Sequence, residues 1–237
     1  MDLDLGIVIY KEKGHFSNSL EVIDRSYSAK VFNGNWNRCN VFYDDDDDIS
    51  IPPRLEDIKK AFSRPDYSYI KTRFANDNVR VGSQKYKEEK QRENISFDIT
   101  KAFSVGKTSM ILDFIIDLCR SIGDFDEVMF LIDLEDPYMK SYELIREVKD
   151  KHGTNIDYFN AYGGVEWIYI LSPKMYEPLF TKEELLAIPA YKVYEWDNEG
   201  RIYIQVYENA WDFEKNPQSI KYLLDTTRYL SKILKEK

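Results

Sequence analysis

Histidine and cysteine are scarce in this sequence, which holds two of each. Two cysteines, Cys39 and Cys119, cannot build a disulfide framework. Their spacing fits no metal or redox motif, which points to a reducing compartment. His15 falls in a polar turn beside Gly14, and His152 falls at the end of a helical pattern, where a cation suits the helix dipole. Neither neighbours a cysteine or serine in a nucleophile motif. Long apolar runs are missing too: none approaches the roughly 20 residues of a membrane span. The opening residues Met1-Asp2-Leu3-Asp4-Leu5 are acidic where an export signal is basic. A cytoplasmic protein with no membrane partner is expected.

What is present is charge and aromatic area. The 237 residues are 43% hydrophobic and 15% aromatic, which suffices for a sizeable core and argues against disorder. The net charge of −9 argues against a nucleic-acid partner, because phosphates are repelled at long range. The charge is uneven, however. Lys59 to Arg92 carries ten basic and four acidic residues, a balance of +6, so the remainder stands at −15. Asp44, Asp45, Asp46, Asp47 and Asp48 form one run, read as a solvated loop because like charges at that density repel.

The apolar patterning predicts an α+β fold, with a mixed, mostly antiparallel sheet and helices packed on it. A single domain over 1–237 is expected, with a subdivision near residue 94. Strands are expected at Leu3 to Tyr10, at Tyr27 to Phe32 or Cys39 to Tyr43, and at Ile95 to Thr100. Further strands are expected at Glu127 to Leu134 and Val165 to Leu171. Helices are expected at Arg54 to Phe62, Thr108 to Ile122, Pro137 to His152 and Pro217 to Leu234, with two short pieces between Pro173 and Leu186. Thr108 or Ser109 would cap the second of these helices and Gly123 would stop it. Gly82 to Asn94 lacks apolar periodicity and reads as a long exposed loop or a weak helix. Ala190 to Trp196 and Arg201 to Glu208 read as a hairpin around Asp197-Asn198-Glu199-Gly200.

Three motifs suggest chemistry, and each has a plainer reading. Gly106-Lys107-Thr108 stands between a strand and a helix as a phosphate loop does. Lys101, however, occupies the position where such a loop needs its first glycine, so an ordinary helix entrance is expected. Pro65-Asp66 with Glu88 and Lys90 matches a nuclease pattern, yet its surroundings are too charged for the core strand which that chemistry requires. Asp133, Glu135 and Asp136 end a predicted strand, where a metal-dependent enzyme would place carboxylates. The plainer reading is that Asp136-Pro137 opens a helix. No catalytic set, cofactor or metal is expected. A nucleic-acid accessory role would use the basic 59–92 stretch, with Tyr67, Tyr69, Phe74 and Tyr86 as stacking partners.

The strongest signal lies between Asp157 and Glu214, where eleven acids face four bases and three of the four tryptophans and eight tyrosines occur. Alternation along the second hairpin strand turns Ile202, Ile204 and Val206 inward and Tyr203, Gln205 and Tyr207 outward. Exposed tyrosines among carboxylates would make a face for a basic protein.

Gly163-Gly164-Val165-Glu166-Trp167-Ile168-Tyr169-Ile170-Leu171-Ser172-Pro173 resembles the Gly-x-x-Trp strand and Leu-Ser-Pro helix entrance of bacterial immunity proteins. These accompany polymorphic and type VI secretion toxins. The hairpin, Trp211-x-Phe213, Asn216-Pro217 and a closing helix extend the resemblance over roughly Asp157 to Lys237. The resemblance implies a non-enzymatic protein that binds and neutralises a cognate toxin, often a nuclease and therefore basic. Expected toxin contacts are Asp44 to Asp48, Glu166, Glu195, Asp197, Glu199, Tyr203 and Tyr207, with Trp167 in the core behind them. A homodimer is compatible with the same reading.

Overall fold

The computed structural model describes residues 4–11, 16, 19–32, 36–43, 48–52, 54–63, 67–74, 78–86, 92–132, 166–211 and 215–237. The chain divides into two compact units, Met1–Asp126 and Glu127–Lys237.

In the first unit the strands are β1 (Asp4–Lys11), β2 (Trp36–Tyr43), β3 (Asp48–Ile51), β4 (Tyr67–Phe74), β5 (Val79–Tyr86) and β6 (Arg92–Thr100). They pair antiparallel in the order β3-β2-β4-β5-β6-β1. Helices α1 (Ser19–Ser28), α2 (Leu55–Phe62), α3 (Lys101–Ser104) and α4 (Thr108–Ile122) complete the unit. One face of the sheet is apolar: Leu5, Ile7, Ile9, Cys39, Val41, Val79, Val81, Ile95, Phe97 and Ile99 are buried. The residues between them on β1, β5 and β6, among them Val8, Tyr10, Arg80, Ser96 and Asp98, are half-buried. That two-residue period is what an antiparallel sheet with one covered face requires. Phe97 lies 6.3 Å from both Phe32 and Phe114, so the 3₁₀ turn Lys30–Phe32 and α4 cover the apolar face.

Helix α4 runs as its apolar stripe predicts, with Ile111, Ile115, Leu118, Cys119 and Ile122 buried, but Met110 is exposed. Gly123 ends it at φ 65°, a conformation glycine adopts without a Cβ clash. Neither Thr108 nor Ser109 is the cap. Lys107 takes that position without a side-chain bond, and the Thr108 hydroxyl donates instead to the Ser104 carbonyl.

The expectation for Gly82 to Asn94 fails where the structure describes it, and one of the two alternatives for the second strand is formed. Of the expected loop or weak helix at Gly82 to Asn94, Gly82 to Tyr86 belongs to β5 and Arg92 to Asn94 to β6, and residues 87–91 lie outside the described residues. Polar residues occupy even the buried face there, where the Ser83 hydroxyl donates to Glu93, so composition hid a ladder held by its backbone bonds. Tyr27 to Phe32 is the end of α1 and a 3₁₀ turn, and the alternative strand at Cys39 to Tyr43 is the one formed. Of the aspartate run, Asp44 to Asp47 lie outside the described residues. Asp48 opens β3 and pairs with Phe42, so it belongs to a strand rather than a loop.

In the second unit β7 (Glu127–Ile132), β8 (Ile168–Leu171), β9 (Lys192–Glu195) and β10 (Ile202–Gln205) pair antiparallel in the order β7-β8-β10-β9. The helices are α5 (Pro173–Tyr176), α6 (Lys182–Leu186) and α7 (Pro217–Glu236). Thr181 caps α6 through a full capping box with Glu184, and Asn216 caps α7 through Gln218 N. All four residues of β8 and of β10 are buried, so both faces of these strands are covered. The expected helix from Pro137 to His152 lies outside the described residues. Within each unit every strand pairing is antiparallel, and the architecture is α+β.

Candidate functional site: the C-terminal hairpin

The connection between β9 and β10 is built by one carboxylate. Asp197 Oδ1 accepts the backbone N–H groups of Glu199 (2.9 Å) and Arg201 (3.2 Å), the short-range bonding that makes aspartate a turn residue. Gly200 closes the turn at φ 81°, and its carbonyl accepts the Tyr176 hydroxyl at 3.0 Å. Arg201 is buried and reaches both turn acids, at 2.7 Å to Asp197 Oδ2 and 2.7 Å to Glu199 Oε2. One guanidinium therefore fixes two carboxylates, of which Glu199 stays 71% exposed and keeps a free face toward solvent.

Beside the turn stands an aromatic stack. Tyr203 on β10 pairs in register with Tyr194 on β9, and their rings lie 4.8 Å apart at 29°. Trp196 also stacks on Tyr203, at 6.0 Å and 15°, and its ring lies 6.4 Å from that of Tyr194. Tyr203 is the fixed floor. It is 2% exposed, its hydroxyl donates to Gln205 Oε1 at 3.1 Å, and burial pushes its pKa upward. Gln205 is held in turn, donating to the carbonyls of Tyr207 and Glu208. Tyr194 and Trp196 are half-buried. The exposed Lys192 places its ammonium 5.2 Å from the Tyr194 ring centre and 6.0 Å from that of Tyr203, within cation–π range. Period two on β9 puts Lys192, Tyr194 and Trp196 on one side. On the other side Glu195 pairs with Lys182 at 2.6 Å, a hydrogen bond that raises the lysine's pKa.

Several expected contacts do not reach the surface. Tyr207 is fully buried and Glu166 is 3% exposed. Tyr207 stacks on Trp167, whose indole N–H donates to the Tyr207 carbonyl at 2.8 Å, and the Glu166 N–H donates to the Tyr169 hydroxyl. With Tyr203 these residues are core rather than contacts. The alternation rule assumes one wet face, whereas β10 lies between β8 and β9 with both faces covered. Trp167 is core, as expected. Glu195 and Glu199 are exposed and Asp197 is half-buried; Arg201 joins Asp197 and Glu199, while Glu195 is paired with Lys182. Lys192, Tyr194 and Trp196 escaped the sequence reading, although their i, i+2, i+4 spacing carried the signal.

Gly106 takes φ 77° with open space around it, and the Lys107 ammonium lies over the Phe103 ring at 3.7 Å, as in an ordinary helix entrance. Asp66, Glu88, Lys90, Asp133, Glu135, Asp136, His15 and His152 lie outside the described residues. Tyr67, Tyr69 and Phe74 belong to β4, and Tyr86 to β5. Among the described residues no three of His, Cys, Asp and Glu gather as metal ligands, and no helix is long and apolar enough to cross a membrane.

No protein-family model matches the chain, and no curated protein matches it. Among solved structures it is similar to the Pseudomonas aeruginosa T6SS protein PA0821. The TM-score is 0.57 at 10% identity, over 96% of this chain and 73% of that one. At that identity the likeness is one of fold.

Proposed function

We propose that this chain is a cytoplasmic immunity protein of a type VI secretion system, binding a cognate, basic toxin and neutralising it without catalysis of its own. The observation that carries the reading is the hairpin. An aromatic stack already holds a cation, Lys192, inside a segment of net charge −7, with Glu199 exposed beside it. Such a surface suits lysine and arginine side chains of a partner, because ring faces attract cations and carboxylates steer them. The fold likeness to a T6SS protein supports the same setting. So does the resemblance carried by Gly163 to Pro173. A nuclease toxin is the natural target, since its substrate cleft is basic and carboxylates can occupy the phosphate positions.

The test is genetic and then physical. The gene beside this one should encode a toxin that arrests growth when expressed alone. Co-expression of this chain should restore growth, and the two purified proteins should co-elute. A neighbouring product that is harmless, or that passes over the immobilised chain without retention, overturns the reading.

A further inference from the structure

One face of the C-terminal hairpin is assembled in rungs. Residues directly opposite on antiparallel strands share a face, and the register opposes Lys192 to Gln205 and Tyr194 to Tyr203. The next rung is Trp196 with Arg201, where the Trp196 N–H donates to the Arg201 carbonyl at 2.7 Å. The aromatic stack therefore ends, toward the turn, beside the buried Arg201. The two acids that Arg201 holds differ in their remaining capacity. Asp197 is saturated: Oδ1 accepts two backbone N–H groups and Oδ2 meets the guanidinium. Glu199 meets Arg201 through Oε2 and is 71% exposed, and among the described residues its Oε1 makes no hydrogen bond or ion pair. Trp196 is half-buried, with its ring only 15° from parallel to that of Tyr203. A flat indole and a fixed carboxylate with an open oxygen thus neighbour the same buried arginine.

We propose that this turn end seats one arginine side chain of the protein's binding partner. Its guanidinium lies on the Trp196 ring and donates to Glu199 Oε1, and Arg201 is the positioning residue that holds the carboxylate in place. That the partner is the toxin rests on the reading above; the seat rests on the hairpin geometry. Arginine fits it better than lysine. A guanidinium is planar, weakly hydrated and forked, so it stacks on a ring while bonding a carboxylate at its edge. An ammonium is a strongly hydrated point charge that must shed water to approach the ring. A glutamate on an exposed turn loses side-chain freedom when it binds a cation, and Arg201 restrains Glu199 beforehand. Charge favours the same end. Arg201 with Asp197 and Glu199 stands at −1, whereas Glu195 across the strand is already paired with Lys182. The hairpin therefore selects a basic partner by an arginine, not by positive charge alone.

The seat is tested on the full chain with two probes of equal charge, hexa-arginine and hexa-lysine peptides, at equal ionic strength. NMR signals of the Trp196 indole N–H and the Arg201 Nε–H follow binding. Hexa-arginine should shift both signals and bind about ten-fold more tightly than hexa-lysine. Glu199→Gln and Trp196→Leu should each cut that preference to about two-fold or less. Arg201→Lys keeps the charge but loses the fork that holds Glu199, and should lower the preference in the same way. Partial loss of folding would weaken both peptides alike, so the ratio of the two affinities reports the seat. If Arg201→Lys fails to fold, Glu199→Gln, at an exposed position, still decides the outcome. Equal affinity for the two peptides overturns the proposal, as does a preference that survives Glu199→Gln or a folded Arg201→Lys. Hexa-arginine shifts that leave Trp196 and Arg201 untouched overturn it too. The genetic test is independent of these. Growth rescue without an arginine preference removes the seat and keeps the immunity reading, and a harmless neighbour with an intact preference does the reverse.

Discussion

The carboxylate of Glu93, in β6, accepts the backbone N–H of Phe16 at 2.8 Å, tying residues 77 positions apart. Its second oxygen accepts the Ser83 hydroxyl from β5 at 3.1 Å, and the side chain is fully buried. A buried carboxylate is tolerated only when its lone pairs are satisfied, and here a loop amide helps to satisfy them. Glu93 thus fastens the segment leaving β1 to the inner face of the sheet. Replacing Glu93 with Ala removes both of these bonds and should cost about 2–4 kcal/mol in urea unfolding. Glu93→Gln retains one acceptor and should cost less. A loss below about 0.5 kcal/mol for Glu93→Ala would show that the clamp carries no stability.

Gly200 is the residue on which the hairpin turn depends. Its φ of 81° disfavours any L side chain, and a Cβ there would come within 3.2 Å of Pro173 Cγ. Gly200→Ala should therefore destabilise the protein by about 1–2 kcal/mol. Gly200→Asn should lose less of the conformational part, because asparagine tolerates this region. Equal denaturation midpoints for wild type and Gly200→Ala would mean that the turn relaxes without strain.

The hairpin was legible in outline because its signals are local. Asp197-Asn198-Glu199-Gly200 marks the turn and apolar runs flank it. Asn216 ahead of Pro217 likewise announced α7, whose Leu223, Leu230 and Leu234 are buried. The facing of β10 was not legible, because alternation cannot tell whether a strand's polar side meets water or another layer. Tyr203 and Gln205 pass for surface residues until β9 and the Tyr194 ring are placed over them. The strands β4 and β5 stayed hidden for the opposite reason. The residues described on their half-buried face are Arg73, Arg80 and Gln84, so apolar periodicity falls below recognition.

Burial shapes the response to alkali. Cys39 is pushed from 9.0 up to about 12 by desolvation, and Tyr203 and Tyr169 are raised above 10.0, mainly by burial. Raised acid groups favour the native state fully while both states are protonated. That contribution is lost as pH climbs past the unfolded values near 9.0 and 10.0 toward the folded ones. Denaturant midpoints should therefore hold steady between about pH 7 and 8.5 and fall above about pH 9.5. Tyr203→Phe should flatten that fall. A thiol reagent at neutral pH should find neither Cys39 nor Cys119, both buried and in no disulfide, until the chain unfolds. Rapid labelling of a thiol in the native protein would contradict the packing around β2 and α4.

If the hairpin meets the toxin, two substitutions on one strand should act in opposite directions. Trp196→Ala removes one leaf of the stack over Tyr203 and should weaken toxin binding by about ten- to thirty-fold, chiefly by faster dissociation. Lys192→Met vacates the cation seat on Tyr194 and Tyr203, so an incoming arginine no longer competes with it; affinity should rise by about three-fold. Lys192 is exposed and touches the stack only through its ammonium, so its variant reports on binding even if Trp196→Ala folds poorly. Glu199→Gln should slow association most at low salt and little at high salt, because its exposed carboxylate acts through screened attraction. Surface-plasmon kinetics of the three variants separate these effects. Unchanged dissociation for Trp196→Ala together with unchanged affinity for Lys192→Met would place the toxin elsewhere on the molecule.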